Sequence, residues 1–147
     1  MRLGPRVIHH GHPEMRRLKT ALRLLLAVAM VVVGVLHFVN PGGFVRIVPA
    51  YLPAPLALVL ISGAAEILGG LGLFIPRTRR LAAWGLVALY IAVFPANLNM
   101  ALHQIPLGDV PIAPDKVWLL WLRLPFQALF IAWAYWLTRP DESEKTA

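Results

Sequence analysis

Five side chains place reactive chemistry inside apolar surroundings: His37, Glu66, Asn97, Arg123 and Gln127. An ionisable group within an apolar run costs roughly 2.5–3.5 kcal/mol on insertion scales, so it calls for a partner. Ser62, Glu66 and Gly70 recur at i, i+4 and i+8, with Gly63 and Gly69 three residues to either side of Glu66. On a helix this makes a stripe of small residues that admits a close neighbour. Arg123 and Gln127 are i, i+4 and share a face. The long fork of an arginine can reach a carboxylate at another level. The spacing therefore predicts a Glu66–Arg123 pair with Gln127, Asn97 and His37 around it. Two readings of the pair stand side by side: a ligand or proton site, or a buried pair that only fixes helix register. For Asn97 and Gln127 the plainer role is an interhelical hydrogen bond. For His37 it is a histidine wetted at the membrane interface. Asn99 lies about 200° around the helix from Asn97 and is expected to face elsewhere.

Four apolar runs position these residues, and each is long enough for the ~20 residues a helix needs to cross a bilayer. They are 18–38, 55–75 (interrupted by Glu66), 81–102 and 117–138 (interrupted by Arg123). The reading is an all-α, integral membrane four-helix bundle over 18–138, flanked by a disordered basic tail at 1–17 and a polar tail at 139–147. Hydrophobic residues make up 59% of the 147 residues and charged residues 14%, which excludes an ordinary soluble domain. With no cysteine, disulfides, thiolate metal sites and dithiol chemistry are excluded. No metal site is expected. His9, His10 and His12 stand among Gly, Pro and Arg and read as part of a solvated tail. Met15 is an alternative start. The triplet Ala27-Val28-Ala29 has the form of a signal-cleavage site, but it lies inside the first apolar run, so a span is expected there.

The turn at 76–80 is short and basic, which makes the second and third spans antiparallel. Asn40-Pro41-Gly42-Gly43 signals a turn. After it, Phe44–Leu52 is expected as a short interfacial helix bounded by Pro49 and Pro53. Prolines 106, 111 and 114 with Gly108 make 103–116 an irregular loop. Pro95 and Pro125 free the carbonyls of Ile91 and Trp121 and are expected to kink the third and fourth spans.

The net charge of +7 follows topology rather than nucleic acid, since no aromatic residues interleave with the cations as stacking platforms. With the N-terminus, the 76–80 turn and the C-terminus on one side, that side holds 11 Lys/Arg, and the other holds Arg46 and Lys116. The positive-inside rule then puts both termini in the cytoplasm. In this orientation Glu66, Arg123, Gln127, Asn97 and His37 all fall between the outer surface and the midplane. Trp118 and Trp121 mark the outer interface, and Trp84, Trp133 and Trp136 the inner one.

A series of short motifs runs through these spans. It comprises His37-Phe38 with Pro41, Ser62-Gly63 with Glu66 and Gly69-Gly70, and Pro76-Arg77 with Arg79-Arg80. It continues with Val93-Phe94-Pro95-Ala96-Asn97, then Trp121-Leu122-Arg123-Leu124-Pro125 with Gln127 and Trp133-Ala134-Tyr135. In this order the chain resembles the DoxX-like family of small bacterial membrane proteins over about 18–137. The resemblance implies a multi-pass protein of the bacterial cytoplasmic membrane. It also implies an accessory or quinone-linked subunit of a membrane redox system, with quinone as the candidate cofactor and a redox protein as the candidate partner.

The chain carries no haem, flavin or metal motif, so electrons would come from that partner. Two other classes stand beside this one: a non-enzymatic module binding a lipid or small molecule, and a structural or assembly protein. The expected partners are the lipid bilayer, a redox protein and further copies of the chain. A transporter would need oligomerisation, since four spans offer no pair of broken-helix repeats.

Overall fold

A computed structural model describes residues 13–106 and 112–139. The chain forms α1 (Pro13–Val39), α2 (Pro41–Val45), α3 (Pro55–Phe74), α4 (Arg79–Leu102), a 3-10 turn at Pro114–Lys116 and α5 (Trp118–Thr138). Four of these helices, α1, α3, α4 and α5, are long and apolar enough to cross a membrane, with the fourth span counted from Pro114.

Proline sets most of the boundaries. Pro41, Pro55 and Pro114 each open a helix, where the missing N–H would have had no partner and the fixed φ suits the first turn. At the other end of α3, Ile75 is extended ahead of Pro76, as the crowding of a following pyrrolidine ring demands. Ala54, between Pro53 and Pro55, adopts a left-handed backbone at φ 49°, which costs on the order of 1–3 kcal/mol without glycine.

Within the described residues α1 already covers Pro13, five residues ahead of the expected span. The part of the expected tail at 13–17 is therefore helical. Residues 1–12 and 140–147, the rest of the expected tails, lie outside the described residues. So does the middle of the 103–116 loop.

The short helix after α1 lies at Pro41–Val45 rather than Phe44–Leu52. Asn40-Pro41 opens a helix instead of making a turn. Pro49 and Pro53 leave the following stretch in successive tight turns, with Ile47 N–H bonded to Phe44 O and Leu52 N–H to Pro49 O. α2 packs on the ends of α3 and α1.

α1 packs most extensively on α3, α3 also on α4, and α4 on α5. The ring is closed by side chains. Lys19 at the start of α1 donates to the carbonyl of Arg139 and lies over the Trp136 ring of α5, and the Tyr90 hydroxyl of α4 reaches Met30 Sδ of α1. The main core joins Leu26, Ala27 and Met30 to Leu73, Leu86, Tyr90, Ala134 and Leu137. A smaller cluster of Ile47, Met100, Ala101 and Leu120 seals the far end.

The close pairs define the register. Gly34 meets Gly63 and Ala27 meets Gly70, so α1 and α3 run antiparallel. One end of the bundle carries Arg16, Arg17, Lys19, Arg23, Arg77, Arg79, Arg80 and Arg139. The other, the α2 end, carries the α1 C-terminus and the α5 N-terminus.

Candidate functional site

Glu66 sits near the middle of α3, about 16 Å along the axis from Pro55. Its face is formed by Gly63 and Gly70, and all three are buried against α1. A Cβ on Gly63 would stand 2.6 Å from His37 Cβ and 3.0 Å from Gly34 O. One on Gly70 would stand 2.7 Å from Ala27 O. The small residues bring the two backbones together, and that approach puts His37 beside Glu66.

The imidazole Nδ1 is 3.1 Å from Glu66 Oε2. Only 7% of His37 and 8% of Glu66 is exposed. The same Nδ1 lies 2.9 Å from the carbonyl of Val33. A carbonyl can only accept, so Nδ1 carries the proton in both charge states and Nε2 is the nitrogen that titrates. Because the Nδ1–H is directed at Val33, Oε2 lies within ion-pair range yet receives no hydrogen bond from any described group. The pair therefore holds an open acceptor on Glu66 and a titrating nitrogen on His37. Phe44 of α2 stacks on the imidazole at 3.8 Å between centroids and 22° between planes, covering it from the end of the bundle.

A second polar group lies between α4 and α5. Asn97 Nδ2 donates to Gln127 Oε1 at 2.9 Å, and Gln127 Nε2 donates to the carbonyl of Tyr90. The amide thus lands one residue before the carbonyl that Pro95 frees. Beside this group the Tyr90 hydroxyl of α4 donates to Met30 Sδ of α1 at 2.9 Å. Nothing in the local pattern around Tyr90 marks it out. Its phenol within the third apolar run is the signal the sequence offers.

The five expected residues are thus divided. His37 joins Glu66, and Asn97 joins Gln127. Arg123 does not meet Glu66: among the described residues it makes no ion pair with the carboxylate, whose partner is His37. Spacing in the sequence sets height along each helix, but contact also depends on position around the ring. α3 packs on α1 and α4, whereas α5 packs on α4. Arg123 is half-buried on α5, beyond α4 from Glu66. Asn99 faces away from Asn97 as expected and donates to the Ile47 carbonyl at 3.0 Å, fastening the turns after α2 to α4.

The arrangement can exchange a proton at His37 Nε2 beside a carboxylate and accept a hydrogen bond at Oε2. Among the described residues no group of three or more His, Cys, Asp or Glu is placed to hold a metal ion.

The chain belongs to the family described as Domain of unknown function (DUF8561), whose family model matches residues 12–138. No curated protein and no solved structure matches it.

Proposed function

We propose that the protein is a four-span protein of the bacterial cytoplasmic membrane, with both termini cytoplasmic. In it the His37–Glu66 pair receives the polar head of a small lipid-soluble molecule. The observation that carries this reading is the open acceptor on Glu66 Oε2, enclosed in the bundle beside a titratable imidazole. An ionisable pair at such a depth is costly to keep and marks a functional position by default. The DoxX-like resemblance favours a quinone as the ligand and a role as accessory subunit of a membrane redox system, where a proton exchanged at His37 would accompany electrons handled by a partner protein.

A second reading has its own support. The close approach of Gly63 to His37 makes the pair a clamp between α1 and α3. Native mass spectrometry of the detergent-purified protein separates the two readings. Wild type and Glu66→Gln are each titrated with a short-chain ubiquinone analogue and with dioleoylglycerol. Binding of the quinone by wild type and its loss in the variant supports the redox reading. Glu66-dependent binding of dioleoylglycerol alone supports a lipid-binding module. Binding of neither leaves the clamp as the function of the pair.

A further inference from the structure

Arg123 is an anomaly once Glu66 is accounted for. The other ionisable or amide side chains well inside the spans have partners: His37 with Glu66, Asn97 with Gln127, Gln127 with Tyr90 O, and Asn99 with Ile47 O. Arg123 has no hydrogen bond or ion pair among the described residues, although it lies within an apolar helix. A guanidinium stays charged there and calls for an anion, which no described residue supplies.

Three observations say where and of what kind. Arg123 is five residues past Trp118, about 8 Å from the start of α5. Side chains on a helix lean toward its N-terminus, which directs this one to the nearby bilayer surface. Around it Trp118, Leu119, Trp121, Leu122 and Phe126 are all exposed large apolar residues, with the indoles at the level where tryptophan meets lipid head groups. Among the described residues Asp115 is the one acid at this end of the bundle; it is exposed in the 3-10 turn ahead of α5, and a second copy that offered it to Arg123 would show as a dimer in the test below.

We propose that Arg123 binds the phosphodiester of a phospholipid in the leaflet at the α5 N-terminal end, with Trp118 and Trp121 flanking the lipid. The guanidinium fork donates two parallel hydrogen bonds to phosphate oxygens, and the acyl chains lie along the exposed face of α5. This site is separate from the His37–Glu66 pair and does not depend on what that pair binds.

The test uses the delipidated full-length protein and two probes with the same acyl chains, dioleoylphosphatidylcholine and dioleoylglycerol, titrated by native mass spectrometry. Wild type should retain the phospholipid over the diacylglycerol. Arg123→Gln should weaken phospholipid binding by about tenfold and leave diacylglycerol binding unchanged. Arg123→Lys should recover most of the affinity, since an ammonium also reaches the phosphate level. Circular dichroism of each variant verifies the fold, and Arg123→Met, which also removes the charge, carries the comparison if Arg123→Gln does not fold. Equal phospholipid binding by wild type and Arg123→Gln would overturn the proposal. So would a dimer in wild type that Arg123→Gln alone converts to a monomer, which would place a protein anion at the guanidinium.

Discussion

His37 and Glu66 meet because a residue without a side chain stands next to them. Gly63 leaves room for His37 Cβ at 2.6 Å from where its own Cβ would be, and Gly34 faces the same crossing. An alanine at 63 would push α1 and α3 apart and draw the imidazole from the carboxylate. Gly63→Ala is expected to destabilise the protein by about 1–3 kcal/mol, as overpacking does. Gly85 is also on a helix, but a Cβ there meets nothing within 4 Å. Gly85→Ala should therefore be neutral or stabilising by up to about 1 kcal/mol through helix propensity. Thermal unfolding of the two variants in one detergent compares them directly. Equal losses would show that the crossing at Gly63 is looser than described.

Among the elements, the long spans were legible and the short helix was not. Uninterrupted apolar runs fix a span to within a few residues, and α3, α4 and α5 begin and end within two residues of the expected bounds. α1 is longer than its apolar run because the polar residues 13–17 are helical too, which hydropathy does not weigh. At α2 the proline misled: Asn-Pro-Gly-Gly reads as a turn, yet Pro41 at the first helical position opens a helix. Which polar residues lie within the spans was legible, and which of them meet was not, because sequence gives height along a helix and not order around the ring. The stripe at Gly63, Glu66 and Gly70 found the right face, and the partner across it turned out to be His37. The turns after α2 depend on one amide, Asn99 to Ile47 O. Asn99→Ala should cost about 1 kcal/mol, and it should speed hydrogen–deuterium exchange across 46–54 while leaving α3 protected. Unchanged exchange in that segment would mean that the buried Ile47 side chain alone holds it.

At the scale of the molecule, charge separates the two ends of the bundle, and the orientation proposed above follows from it. Reporter fusions at 78 and 110 should give opposite signals, cytoplasmic and external. Equal signals from both would contradict the four-span topology. The same bundle holds one pair, His37–Glu66, across the α1–α3 crossing and leaves Arg123 to its surroundings. A thermal-stability cycle tests that assignment most directly. His37→Ala, Glu66→Gln, Arg123→Gln and the double variants of Glu66 with each of the other two are unfolded in one detergent. The account predicts a coupling of about 0.5–3 kcal/mol between His37 and Glu66, and additive losses, within about 0.5 kcal/mol, for Glu66 with Arg123. Coupling between Glu66 and Arg123, with additive losses for His37 and Glu66, would contradict it.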